Sequence, residues 1–282
     1  MGQRHVRVAA VDLGHTVLAE QEQVLPQETA PAEVVRGAAE LVARVLADAR
    51  LEPGQPPGGA LGPAALRQVL GLPEQVALHV DDDADLGALG EWTWGAARDR
   101  ADVVYLEVAA GVGAGLVLGG RLHRGAGGTA GEVGHLVVDP AGPPCGCGSR
   151  GCLEALVGAP ALVAAAAAAG AARPTAADVV TAARGGDPRC RDVLAAASTA
   201  LGAAVGGLCN VLDPELVILG GELAAAEELV LGPLRAALER GAVRAAADDA
   251  DVVLGTLGPR ATVLGAVTLA LHNVLAVERR VP

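Results

Sequence analysis

His135, Cys145, Cys147 and Cys152 follow the spacing His-x9-Cys-x-Cys-x4-Cys in a chain otherwise rich in Ala, Gly and Val. This is a Cys3His set of the kind Zn2+ takes tetrahedrally. Pro140, Gly142, Pro143, Pro144, Gly146, Gly148 and Gly151 separate the donors, so a tight loop without a core of its own is expected. A metal would supply the cross-links that burial cannot. The set shows no open position, which makes the expected zinc structural. A disulfide is the other use of clustered thiols. No export signal is evident, and the cytoplasmic location expected on that ground disfavours disulfides.

Glu132 stands three residues before His135, and Glu154 two residues after Cys152. Metal binding would draw Glu132, His135 and Glu154 into one neighbourhood. Two carboxylates and an imidazole can all pair with hydroxyls, which suits a sugar. A third acidic stretch, Asp81-Asp82-Asp83-Ala84-Asp85, ends an expected strand, where open α/β sheets place ligands. Crowded carboxylates call for a cation or hydroxyl donors. A solvated acidic turn with Asp85 near a helix N-terminus explains the same residues. Two glycine sets also have two readings each. Gly111-x-Gly113-x-Gly115 fits a hairpin nearly as well as a phosphate contact, and misses the dinucleotide fingerprint. Gly220-Gly221 fits either a strand-to-helix turn or close backbone approach by a nucleotide.

The elements that must position these residues alternate. Strands are expected over Arg4 to Val11 and Thr16 to Leu25, with Asp12-Leu13-Gly14 turning between them. An amphipathic helix is expected from Pro31 to Arg50, a Pro/Gly-rich loop over Leu51 to Gly62, a short helix over Pro63 to Leu70 and a strand over Gln75 to Val80. A helix over Leu86 to Arg98 follows, then strands at Asp102 to Ala109 and Gly115 to Leu118 around a turn at Gly111 to Ala114, with a further hairpin at Gly119-Gly120. Ala-rich helices broken at Gly170 to Pro174 and Gly185 to Pro188 end at Asn210. The chain closes with a buried strand at Glu215 to Leu219, a helix after Gly220-Gly221, a strand at Val252 to Leu254 and a helix from Arg260 to Leu275. This is an α/β pattern.

With 282 residues the chain is long enough for two packed lobes. Net charge is −12 and pI about 4.9, which argues against direct nucleic-acid binding. No window is read as the run of about 18 apolar residues that a membrane span needs. The chain has no Phe and no Lys. Without lysine, Walker A and Schiff-base chemistry are both excluded. Cys190 and Cys209 sit in apolar, helical surroundings and are expected to be buried.

Taken together, these residues resemble the ROK family, named for repressors, open reading frames and kinases. The likeness rests on G-E-x-G-H (Gly131 to His135) with C-x-C-G-x-x-G-C-x-E (Cys145 to Glu154). It extends to VDDDADLGALGE (Val80 to Glu91), AAGVGAGLVLGGRLHRG (Ala109 to Gly125) and NVLDPELVILGG (Asn210 to Gly221). The resemblance implies the actin-like sugar-kinase fold, with a smaller lobe over residues 1–84 joined by 268–282, a larger lobe over 85–267, and a cleft between them. It implies Asp83 as the base taking the proton of a sugar hydroxyl. Asp82, Glu132, His135 and Glu154 would hold sugar hydroxyls, with His135 also on zinc through its other nitrogen. Gly111, Gly113 and Gly115 would face phosphates, and Gly220 and Gly221 adenosine. ATP and Mg2+ would be cofactors of a kinase, and a homo-oligomer is expected.

Several features depart from the family's kinases. Those open with a strand ending in D-x-G-G-T. Asp12-Leu13-Gly14-His15-Thr16 is similar, but Arg4 to Leu25 fits the family's second and third strands better, leaving Gly2-Gln3 as the glycine turn's remnant. Between Glu52 and Pro63 there is no counterpart of the V-P-G-P-V turn, and Asp82 and Asp85 stand where Asn is usual. Phosphoryl transfer depends on positioning and charge stabilisation, where one lost group costs about 10²-fold. The expected function is therefore sugar binding on the regulator branch, with catalysis impaired and no DNA-binding domain in this chain. A glucose- or N-acetylglucosamine-type ATP-dependent kinase using Asp83 is the alternative, and a relic that binds nothing is the third.

Overall fold

The computed structural model describes residues 3–11, 17–26, 33, 37, 40–42, 44, 78–79, 81–243 and 250–278. The chain divides into two compact units, Gln3–Asp82 with Ala266–Pro282, and Asp83–Gly265 with Met1–Gly2.

In the first of these, β1 (Gln3–Val11) and β2 (Val17–Pro26) pair antiparallel, from Gln3 opposite Pro26 to Val11 opposite Val17. The expected turn at Asp12 to Gly14 lies outside the described residues. So do the loop over Leu51 to Gly62 and the short helix after it. Glu33, Gly37, Glu40, Leu41, Val42 and Arg44 have helical backbone inside the stretch expected to be a helix. Of the strand expected over Gln75 to Val80, the described Leu78 and His79 are not in a strand.

The second unit is built on a mixed five-stranded sheet in the order β5-β4-β3-β6-β7. Its strands are β3 (Val103–Val108), β4 (Val112–Leu118), β5 (Arg121–Leu122), β6 (Leu216–Gly220) and β7 (Asp251–Leu254). β3, β6 and β7 run parallel, while β4 turns back antiparallel on β3 and β5 on β4. Alternation along β3 divides the core, as the strand period of two requires. Val104, Leu106 and Val108 join a large apolar cluster, and Val103 and Tyr105 a smaller one on the opposite face.

Against the smaller cluster lies α1 (Asp83–Trp94). It begins three residues before the expected Leu86, so Asp83 and Asp85 are in its first turn, where carboxylates are favoured. The helix sits close because a glycine on each side leaves room: a Cβ on Gly115 of β4 would stand 2.2 Å from Ala84 O, and one on Gly87 of the helix 2.3 Å from Tyr105 Cε1. Its far end is tied by Glu91, 1% exposed, which accepts from Ala96 N at 2.8 Å, Leu257 N at 2.8 Å and Thr256 Oγ1 at 3.1 Å.

The larger cluster is covered by α2 (Glu154–Val157), α3 (Ala159–Ala168), α4 (Ala176–Arg184), α5 (Pro188–Leu212), α6 (Gly221–Ala224) and α7 (Glu228–Gly241). Thr175 caps α4 by accepting from Asp178 N at 3.1 Å, and Asp187 caps α5 by accepting from Arg189 N at 3.0 Å. Contrary to the sequence expectation, α5 has the length and mean hydropathy (1.5) of a membrane span. Its apolarity serves the core: Cys190, Val193, Leu194, Leu201, Val205 and Cys209 are buried in the larger cluster. The last helix, α8 (Ala261–Glu278), begins in this unit.

The expected turn at Gly111 to Ala114 is corrected. β4 starts at Val112, so Gly113 is a strand residue opposite Glu107, continuous with the expected strand residue Gly115 opposite Tyr105. Pairing continues to the end of β3 because Ala109 N donates to Gly111 O at 3.0 Å and closes a tighter corner.

Candidate functional site

The four expected zinc ligands converge. Donor atoms of His135, Cys145, Cys147 and Cys152 all lie within 4.8 Å of one another. Cys147 Sγ and Cys152 Sγ are 3.6 Å apart, and Cys145 Sγ is 3.7 Å from His135 Nδ1. Thiolates about 2.3 Å from a tetrahedral zinc stand about 3.8 Å apart, whereas a disulfide needs about 2.05 Å. All five cysteines are free thiols. The donor set therefore fits a tetrahedral cation, which would replace the proton on Cys152, whose thiol burial pushes up to about 11. The backbone N–H of Ser149 holds Cys147 below the ordinary thiol value.

Backbone geometry sets the loop. Cys145 N donates to Ser149 O at 2.8 Å and Gly148 N to Cys145 O at 3.0 Å, with Gly148 at φ +90°. Gly151, at φ +63°, packs so tightly that a Cβ would meet Asp139 O at 1.5 Å. Leu153 N donates to Leu136 O at 2.9 Å, and both Cys152 and Leu153 are buried, which anchors the loop's end.

The G-E-x-G-H motif has a packing explanation. Val133–His135 is a 3-10 turn laid on the start of β4. A Cβ at Gly131 would stand 1.9 Å from Ala114 O, and one at Gly134 2.2 Å from Val112 O. With both glycines against the strand, Glu132 and His135 project outward. His135 directs Nδ1 toward the sulfurs and leaves Nε2 3.8 Å from Glu132 Oε2. Glu154, at the start of α2, accepts from Val112 N at 3.1 Å, and its Oε2 fills the space a Gly111 Cβ would enter. Glu132, His135 and Glu154 thus all attach to the first residues of β4.

Asp83 is exposed on the first turn of α1, and the exposed Asp82, in the other unit, donates its N–H to Asp81 Oδ1 at 3.2 Å. Asp85 is not solvated: it is 6% exposed, with Arg124 Nε 3.8 Å from Oδ2. Sequence reasoning did not pair these two, because their 39-residue separation is closed only by α1 lying across β4 and β5. Of the glycines expected to contact nucleotide, Gly115 accommodates α1, Gly220 accommodates the Tyr105 hydroxyl, and Gly221 turns at φ +76° with no room for a Cβ beside Val108 O. Glu107 was also missed. It lies at the end of β3 and accepts from Tyr105 Oη at 2.5 Å.

A Cys3His loop and an acidic helix start, both packed on one mixed sheet, belong to an α/β protein with the actin-like fold of the sugar kinases. The chain is a member of the ROK family, whose model matches residues 66–273. It is 33% identical over 216 residues to a glucokinase of Halalkalibacterium halodurans, covering 71% of this chain and 65% of that one. It is 30% identical over 224 residues to a xylose repressor of Caldicellulosiruptor bescii, covering 75% of this chain and 56% of the repressor. The match thus spans less than two thirds of either relative. Among solved structures it is similar to a ROK family glucokinase from Streptomyces griseus in complex with glucose and AMPPNP. That TM-score is 0.77 at 27% identity, with 95% of this chain and 96% of the other covered. Kinases and repressors are both relatives.

Proposed function

We propose that this chain is a carbohydrate-binding ROK protein of the regulator branch, with phosphoryl transfer impaired. The observation that carries the reading is the convergence of Glu132, His135 and Glu154 on the first residues of β4, with His135 Nε2 turned away from the sulfurs. In this reading His135, through Nδ1, and Cys145, Cys147 and Cys152 would hold Zn2+, which would supply only the cross-link that fixes the imidazole. Nε2, which then carries the ring proton, donates to the oxygen of a sugar hydroxyl. Glu132, Glu154 and Asp82 accept from further hydroxyls. The two compact units are read as the family's two lobes.

The xylose-repressor relative and the departures at Asp82 and Asp85 favour the regulator branch. Ionised Asp at these positions accepts hydrogen bonds and cannot donate, unlike Asn. The kinase reading is favoured by the glucokinase relative and by Asp83, exposed in the first turn of α1, where a base could meet a hydroxyl. In that case Gly111, Gly113 and Gly115 would serve the phosphates of ATP, and Gly220 and Gly221 its adenosine, with Mg2+.

ADP release from Mg-ATP with a panel of hexoses, pentoses and N-acetylhexosamines separates the two. The expected result is no sugar-dependent release. Turnover that disappears in Asp83→Asn would establish the kinase instead.

A further inference from the structure

A groove of about 680 Å³ lies between the Cys3His loop, α2, α3 and α5. Val138, Leu156, Leu162 and Val193 line it, and Ala196 and Ala203 carry the lining along α5. Thr199 belongs to the same wall, but its hydroxyl donates to Ala195 O at 2.8 Å and is satisfied within the helix. The apolar surface continues onto the loop, where Leu136 and Val137, just before Val138, are 42% and 50% exposed. Both are held firmly. Leu153 N donates to Leu136 O at 2.9 Å, and Val137 forms an antiparallel bridge with Cys152. Apolar side chains fixed in water beside an apolar groove mark a contact surface.

The charges around the groove say what it contacts. Arg189 is engaged at home, with Asp187 Oδ1 3.3 Å from Nε and Gly170 O 2.6 Å from Nη1. Asp139, on the loop side, accepts from Ala141 N at 3.0 Å. Two exposed side chains of opposite sign are left. Asp192 lines the groove from α5, and Arg150 precedes Gly151, which packs against the Asp139 backbone. Neither side chain makes a hydrogen bond or ion pair among the described residues. In a two-fold contact each residue meets a different residue of the other copy, so a cation on one wall and an anion on the other complement themselves. With a net charge of −12 the chain is poorly suited to an anionic bilayer.

We propose that this groove is a homodimer interface, in which a second copy of this chain places its Leu136 and Val137 against α3 and α5. Arg150 of each copy then faces Asp192 of the other, and the small side chains of Ala196 and Ala203 let the copies approach closely. The proposal rests on no part of the carbohydrate reading.

Sedimentation of the zinc-loaded protein over a concentration series measures the oligomeric state and the dimer dissociation constant. A dimer is expected. Ala196→Glu, at an exposed lining position, should weaken it by about a hundredfold or more, because the new charge would be enclosed without a partner. Bound zinc and circular dichroism should match the parent. Arg150→Asp and Asp192→Arg should each weaken the dimer roughly fivefold, and the double variant should restore the parent value. A parent that stays monomeric, an Ala196→Glu dimer as tight as the parent's, or reversals that do not cancel in the double variant would overturn the proposal. Should Ala196→Glu lose zinc or helix content, the charge exchange decides alone, since both of its positions are exposed.

Discussion

In the loop from Val133 to Cys152, tight backbone turns gather four donor atoms within 4.8 Å. Along the seam between α1 and the sheet the means are reversed. There the missing side chains of Gly87 and Gly115 let Ala84, Ala88 and Tyr105 close up. The loop gathers the donors through which a metal would cross-link it, and removing one sulfur would undo that. The seam is held by what its side chains leave out, and adding one atom undoes it. The two regions carry different shares of the proposed site: the loop orients His135 and Glu132, and the seam fixes the turn that bears Asp83.

Breaking the loop should have the largest effect. Cys152→Ser removes a fully buried thiol from the donor set. It is expected to lower bound zinc from one equivalent to near none and to cost about 4 kcal/mol, a fall in Tm of about 10 °C. Elemental analysis beside thermal unfolding checks both. The seam variant should separate from it. Gly115→Ala places a Cβ 2.2 Å from Ala84 O, forcing α1 outward at about 3 kcal/mol, with the full zinc equivalent retained. A smaller loss, about 2 kcal/mol, is expected for Glu91→Gln. It exchanges charge-assisted bonds from two amides and a hydroxyl for neutral ones and sets an NH2 against a donor.

Asp187, at the start of α5 and in neither region, should give the smallest change. Its hydrogen bond from Arg189 holds the carboxyl below its ordinary value. A depressed folded value means the contribution is present above the unfolded carboxylate's pKa, about 4, and is lost as pH falls through the folded one. Asp187→Asn should therefore flatten the acid limb of a stability-versus-pH curve below about pH 4 and leave the alkaline side parallel.

The same contrast explains what the sequence made legible. Donor types and spacing carry the zinc set by themselves, so His135, Cys145, Cys147 and Cys152 could be read as one group before any fold was known. Strand periodicity and the glycine breaks located β3, β6 and the Ala-rich helices. The seam was legible only in part, because a glycine that makes room for a helix looks the same in a sequence as one that turns a chain. Gly113 was read as part of a turn for that reason. Arg124 beside Asp85 and Tyr105 beside Glu107 left no signal, since a partner chosen by sheet register and helix placement has no fixed spacing. α5 was not read as a span although it has the apolarity of one: a long apolar run is the same in sequence whether it faces lipid or a protein core.

Calorimetric titration of the zinc-loaded protein with a sugar panel including glucose and xylose, run beside Glu132→Gln, tests the carbohydrate site most directly. Saturable binding of at least one sugar, weakened about tenfold or more in the variant with the zinc equivalent unchanged, is the predicted result. No binding of any sugar, or equal affinity in the two proteins, would contradict the site built by Glu132, His135 and Glu154.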